Sequence, residues 1–510
     1  MSSRAAKLLV VLGVAAVAGC DLAPKYEPPQ FILPASYRGS APFHAVDPEA
    51  KMPPAGDWWT VFDDPDLDRL EDRQRRENPT LQAAAEAFEQ ARDLVAEAQS
   101  ALYPQVGANG LISKNRQSAH RLFRSSAGAD EEASNLIAGM ASWEPDFWDA
   151  IRNGALEQQR LAQASAADLA TARLSLQAEL AADYIGLRGL DQQLDVLRRA
   201  ITAYRKAVEI TRLRWNGGIA SGLDLARAAS QLGTAQAQES EAALQRDLLE
   251  HAVAALVGAN PSDFAIAPVD APGLAPPTIP VGVPSELLQR RPDIASVERQ
   301  MAAANAAIGV SRAAFYPHVI FGATGGFQDS GFNLLSLPNE LWSVGAGAML
   351  PLFEGGLRRA QLRRSWSLYA QTRDHFRATV LAAFQEVEDG IAQTQRLETE
   401  VAQQHEASVQ ADQALSIANM LYEQGLDNYL SVAVAQVQAL TAQTAEVQLR
   451  TRQLQAGVFL FRALGGGWTA EDLPSERQTV PFGPLDYRST SGAQPDAATA
   501  AVPQPPRSAP

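Results

Sequence analysis

The side chains with most chemical potential are few: one thiol, Cys20, and six histidines, at 44, 120, 251, 318, 375 and 405. A lone Cys excludes an internal disulfide, a thiolate zinc site and an iron–sulfur cluster within one chain. No two histidines stand at helical ligand spacing, so no metal site is expected. Glu386, Glu388 and Asp389 could pair for acid–base work, but they fall in a helical charge pattern that reads as a salt-bridged or solvated face. The five lysines, at 7, 25, 51, 114 and 206, never follow a Gly, so the Gly-Lys-Ser/Thr ending of a phosphate loop is absent. A GxSxG elbow is absent too. No catalytic constellation emerges; the chain is read as a non-enzyme without a cofactor.

Cys20 has a context of its own. Arg4 and Lys7 precede a small, apolar run from Leu8 to Gly19, and Val17-Ala18-Gly19-Cys20 resembles a bacterial lipobox. The run, about 12 residues, is too short to span a bilayer as a helix. Residues 1–19 are therefore expected to be a lipoprotein signal peptide, with a covalent lipid on Cys20 anchoring the mature chain. Asp21 points the other way, because in lipoproteins of enteric bacteria an Asp after the lipidated Cys often marks retention in the inner membrane.

The elements around these residues follow from composition and period. A formal charge of −15 disfavours a nucleic-acid partner, and 46% hydrophobic content with only 7% aromatics, much of it Ala, leans towards long helices. An extended, Pro-containing arm is expected over 20–63. A first repeat follows over 64–258: a helix from about Asp64 to Tyr103, a strand hairpin within about 104–148 enclosing a loop at 117–134, and a long helical hairpin. Leu187, Leu190, Leu194, Leu197, Ile201, Tyr204 and Val208 recur at 3–4 spacing, the seam of a coiled coil. A Pro-rich linker spans 259–284. A second repeat over 285–468 has a helix from about Pro284 to Phe315, a strand hairpin within about 317–352 and another long helical hairpin. The offsets are 213 residues from Tyr103 to Tyr316 and 207 from Gly218 to Gly425. Residues 469–510 are expected to be a C-terminal equatorial segment followed by a Pro-, Ala- and Ser-rich disordered tail over 490–510.

Four strands with open edges cannot enclose a lumen, whereas lipid penalises every unpaired backbone group. Three copies would supply 12 strands, an even number suited to an outer-membrane barrel. The fold class expected is mainly α with a β-barrel portion: tandem repeats of coiled-coil helices and strands, assembled as a trimer. An inner-membrane-anchored periplasmic coiled-coil or adaptor protein is the competing reading, but it would not need strands with lipid-facing alternation.

Val283-Pro-Ser-Glu-Leu-Leu-Gln-Arg-Arg-Pro-Asp-Ile294, Ala303-Ala-Asn-Ala-Ala-Ile-Gly-Val-Ser-Arg-Ala-Ala-Phe-Tyr-Pro317, Pro351-Leu-Phe-Glu-Gly-Gly356, Ala383-Phe-Gln-Glu-Val-Glu-Asp-Gly390 and Ala463-Leu-Gly-Gly-Gly-Trp468 resemble the TolC family, in its OprM- and NodT-like lipoprotein branch. The resemblance covers about residues 20–470. It implies a homotrimer with a 12-stranded outer-membrane barrel on a periplasmic helical barrel, docked through a periplasmic membrane-fusion adaptor to an inner-membrane pump. For this branch a proton-driven pump and small toxic compounds or drugs are implied. The tip motifs that the family uses for adaptor docking and for closing the periplasmic entrance correspond here to 214–224, with Arg214, Trp215, Gly217, Gly218, Ser221 and Asp224, and to 422–430, with Tyr422, Gly425 and Asp427; helix capping accounts for the same residue types. Where some members carry an acidic ring, this sequence has Val434, so Glu423, Asp427 or Asp224 are the candidates for a charged gate. Trp143, Trp148 and Trp342 are candidates for an interfacial aromatic girdle facing outer-membrane lipid, with junction packing as the alternative.

Overall fold

In the computed structural model, the described residues are 21–29, 31, 34, 37–38, 57–116, 118, 131–268, 274–279, 284–331 and 333–484. The expected signal peptide, Cys20 and the tail from 485 lie outside them.

Chain order gives α1 (Pro65–Glu77), α2 (Pro79–Ser100), β1 (Gln105–Arg116), β2 (Glu131–Trp143), α3 (Ala150–Asn216) and α4 (Gly222–Leu256). Then come α5 (Pro284–Arg290), α6 (Pro292–Ala313), β3 (His318–Asp329), β4 (Glu340–Met349), α7 (Leu357–Glu423) and α8 (Tyr429–Ala463). Helices α3 and α7 have 67 residues each, and α4 and α8 have 35 each. Both pairs repeat at an offset of 207, from Ala150 to Leu357 and from Gly222 to Tyr429. At 1.5 Å per residue, 67 residues make a rod of about 100 Å.

Three sequence expectations need correction. The helix expected without a break from Asp64 to Tyr103 is two helices, because Asn78 is extended and caps α2 through Leu81 N, with Pro79 at its first position. The helix expected over 284–315 is likewise divided at Arg291-Pro292. The loop expected at 117–134 ends earlier than that: the return strand begins at Glu131 and pairs along the whole of β1, so residues 131–134 belong to the sheet.

The strands form one antiparallel sheet in the order β1-β2-β3-β4. Its register sets Val106 opposite Ala141, Gly110 opposite Ile137, Ile137 opposite Phe327, Trp143 opposite Phe321 and Ala323 opposite Val344. Directly opposed residues share a face, so these apolar side chains form one continuous belt. The other face is mixed: Asn109, Ser113, Ser134, Ser142, Thr324, Gln328 and Ser343 alternate there with glycines and with Leu111, Leu136, Met140, Ile320, Leu341 and Met349. Helices continue the sheet in the same order: α2 packs on α3, α3 on α6 and α6 on α7, while α4 and α8 fold back along α3 and α7.

The main core lies midway along the rods. Trp58, Trp59, Phe62, Leu67, Tyr184, Ile185, Met301, Phe376, Val387 and Phe461 are buried there together. Further along the rods the core thins to the coiled-coil seam, where Leu194, Leu197, Ile201, Tyr204 and Val208 are buried.

Candidate functional site

The two hairpin tips are built alike. In the first, Gly217 N donates to Leu213 O at 3.0 Å and Gly218 N to Trp215 O at 2.9 Å, while Gly218 takes φ +72, a left-handed conformation open to Gly without penalty. Ser221 then opens α4 with a capping box: Asp224 N donates to Ser221 Oγ at 3.2 Å, and Ser221 N to Asp224 Oδ2 at 3.3 Å. In the second tip Gly425 has φ +74, its N–H donates to Tyr422 O at 3.0 Å, and Asn428 caps α8 by accepting from Leu430 N at 3.0 Å. The chain thus reverses within a few residues at each rod end.

What joins the tips was not legible beforehand. The Arg214 guanidinium lies 4.0 Å from the Tyr422 ring centroid and donates to the Tyr422 and Glu423 carbonyls at 3.0 and 3.3 Å. Tyr422 meets Tyr429 edge-on at 5.7 Å, and both are buried with Val208, Ala228 and Val432. Burial first, then Tyr422, Tyr204 and Asp224, push the Tyr429 hydroxyl up to about 12, so it remains a neutral donor at physiological pH. Tyr422, one of the residues expected at the docking tips, sits inside the seam between hairpins, where its ring is the platform for Arg214. Arg214 stood in the tip motif without a role; no local spacing could pair it with a residue 208 positions away.

The remaining tip residues divide by exposure. Trp215 is half exposed, and Ile219, Leu223, Leu426 and Leu430 are exposed apolar neighbours. Glu423 is exposed, whereas Asp224 and Asp427 are half-buried and engaged locally, Asp224 in its capping box and Asp427 in accepting from Asn428 N at 2.7 Å. Val434 is exposed on α8.

At the sheet end the three tryptophans differ. Trp342 is 76% exposed on the apolar belt. Trp143 stacks on Phe321 at 6.2 Å and donates to Leu102 O at 3.0 Å. Trp148 stacks on Tyr316 at 4.6 Å and donates to Pro317 O at 3.0 Å, a junction contact that ties α3 to the start of β3.

The arm reaches this same junction. Arg312 Nη1 donates to Leu22 O at 2.9 Å, Asn305 Nδ2 to Pro24 O at 2.7 Å, and Tyr26 Oη to Glu298 Oε1 at 2.5 Å, so the arm runs down α6 away from the sheet. Asp21 Oδ1 accepts from Asn153 Nδ2 at 3.1 Å, in the first turn of α3. Asp21 itself therefore lies beside the base of the sheet.

In the middle, Asp191 lies between two arginines, 3.2 Å from Arg188 and 2.7 Å from Arg246. Arg188 also reaches Asp66 at 3.1 Å and Ala267 O at 2.8 Å; Arg246 pairs with Glu250 and donates to Ile266 O at 2.6 Å. This network staples α1, α3, α4 and the linker together. Among the described residues no helix is long and apolar enough to cross a membrane, and no group of three or more His, Cys, Asp or Glu is placed to hold a metal ion.

A sheet with an apolar belt and open edges, set on paired helical rods with tight tips, defines the protomer of a membrane channel that continues as a helical duct. The chain belongs to the outer membrane efflux protein family, whose model matches residues 71–259 and 283–466. It is 31% identical over 427 residues to the pyoverdine export outer membrane protein OpmQ of Pseudomonas aeruginosa, covering 81% of this chain and 88% of the relative. It is 30% identical over 470 residues to outer membrane protein OprJ of the same species, covering 90% and 95%. The solved structure of the outer-membrane channel OprN matches with a TM-score of 0.81 at 26% identity, over 88% of this chain and all of that one. The Campylobacter jejuni CmeC outer membrane channel matches with a TM-score of 0.83 at 20% identity, over 90% and 98%, a likeness of fold. The protein is an outer-membrane efflux channel of the TolC type. Its relatives are outer-membrane channel proteins.

Proposed function

We propose that this channel is the exit duct of a tripartite assembly, receiving small toxic compounds or drugs from a proton-driven inner-membrane pump through a periplasmic adaptor that docks on the hairpin tips. The observation that carries the docking is the apolar rim of Trp215, Ile219, Leu223, Leu426 and Leu430, exposed where a solitary rod would present polar residues. Beneath the rim, the Arg214–Tyr422 clamp holds the two hairpins together, and its release is the step that widens the entrance. Threefold repetition makes each pore-facing carboxylate a ring. Glu423 is the best placed for this, since Asp224 and Asp427 are occupied locally.

The duct needs no cofactor. A covalent lipid on Cys20 anchors the chain, supported by Asp21 lying at the base of the sheet against Asn153. Asp21 acts in that anchoring contact and not as an inner-membrane retention signal, in accord with the outer-membrane placement of the relatives. Trp342, and Trp143 more shallowly, face lipid; Trp148 serves the junction.

The test is chemical cross-linking in cells of the full chain with its adaptor, comparing wild type with Ile219→Asp/Leu426→Asp. Loss of the cross-link with the trimer intact supports docking at the rim, and an undiminished cross-link refutes it. Lipid labelling that persists after Cys20→Ala would remove the anchor.

A further inference from the structure

The two outer helices of the protomer carry opposite charge at the same level. Strands β1 and β4 are the edges of the sheet. Helix α2 leads into β1 and α7 leaves β4, and each is the outermost member of the row α2-α3-α6-α7. Leu81 and Val95 turn α2 towards α3. At 100° per residue Glu86, Asp93 and Glu97 fall within about 40° of the opposite side. All three are exposed. On α7, Ser365, bonded to Ser311 at 2.7 Å, and buried Phe376 and Val380 mark the side facing inward. Arg363 and Arg364 fall on the far side, within about 60° of its centre, with Arg359 at its margin. These three are exposed too.

The axial positions agree. Glu97 and Asp93 lie about 5 and 10 Å from the sheet end of α2, and Arg359 and Arg363 about 3 and 9 Å from the sheet end of α7. Among the described residues none of the six has an ion partner within the protomer, whereas neighbouring Glu89, Arg358 and Arg373 are paired to Arg92, Glu354 and Asp374. A charged row without a local partner on one edge, and its complement on the other, fits a head-to-tail contact that closes into a ring.

We propose that the protomers join along an electrostatic seam in which Glu86, Asp93 and Glu97 on α2 of one copy face Arg359, Arg363 and Arg364 on α7 of the next. The occupant of this surface is a second copy of the chain, and the proposal rests on the trimeric channel described above. The seam fixes which edges meet and at what height, so that β4 of one copy enters register with β1 of another.

The test uses the full-length lipidated chain in outer membranes, read on unboiled detergent gels. Arg363→Glu/Arg364→Glu should shift most of the trimer band to monomer, and adding Asp93→Arg/Glu97→Arg in the same chain should restore it. Because the reversal could impair folding, Asp93→Cys/Arg363→Cys provides an independent readout: a disulfide-linked ladder of two and three chains without reductant. A trimer indifferent to charge reversal, as expected if the arginines instead face lipid headgroups, or a cysteine pair that never links chains, overturns the seam and leaves the trimer standing. A wild-type protein that runs only as monomer would overturn the trimer on which the seam depends.

Discussion

The middle of the rods and their tips are made of the same two helical hairpins but are held by different forces. In the middle, the arm, α1, α6 and the linker wrap the rods, aromatic residues are buried, and Asp191 is enclosed by two guanidiniums. At the tips the hairpins are held by coiled-coil packing, the Arg214–Tyr422 clamp and a few hydrogen bonds such as Gln231 Nε2 to Ala433 O, with apolar side chains facing outward. Stability is thus concentrated where the chain must not move. The tips depend on few contacts, so they can be altered at low cost.

The sharpest way to break this contrast is Asp191→Ala, which leaves Arg188 and Arg246 buried without their shared partner. Asp66 and Glu250 still pair with the two arginines, so a loss of about 1.5–3 kcal/mol is expected. It should appear as a lowered thermal midpoint, while single-channel conductance of the surviving trimers stays unchanged. A conductance change would place the network in the gate.

Next is Glu71→Gln, because the middle also contains a strained group. Glu71 is fully buried with neither carboxylate oxygen partnered, and desolvation raises its pKa well above the ordinary 4.5 despite the opposing pull of Arg75. A raised folded-state pKa favours the protonated form, so its contribution is complete below pH 4.5 and is lost as pH rises through the folded value. The Gln variant should therefore melt higher than wild type at pH 7.5, with the gain fading as pH falls towards 4.5. An equal gain at both pH values would show that ionisation is not its origin.

Arg214→Ala should cost about 1–2 kcal/mol at the tips. The thermal midpoint should barely move, but conductance in planar bilayers should rise as the hairpins part. An unchanged current would remove the clamp from the gating step. The smallest effect is expected for Ser221→Ala, which removes one cap worth about 1 kcal/mol. Hydrogen exchange should quicken in the first turns of α4 and nowhere in the middle. Faster exchange around Asp191 would show that the two regions are not independent.

Much of this molecule is legible in the sequence because it is periodic. The seam from Leu187 to Val208 defines a long coiled-coil helix, Gly218 and Gly425 mark where the two long helices turn, and the 207-residue offset recurs in both long hairpins. The breaks at Asn78-Pro79 and Arg291-Pro292 were missed, although in each the Pro stands at the first position of a new helix, where it is tolerated. The tip motifs were visible as motifs, but which of their side chains face outward was not. Tyr422 shows why: its burial depends on Arg214 from the other hairpin.

By itself the sequence determined the elements, their duplication and the need for further copies to close four strands, because helix period, strand alternation and turn chemistry act between near neighbours. The tertiary structure alone decided that Asp191 is clamped, that Asp21 is tethered to Asn153, that Trp148 belongs to a junction and that Arg214 links the two hairpins. Those contacts join residues from separate elements, many of them a hundred or more positions apart. Their pairing is set by how the rods and sheet pack, which no local pattern encodes.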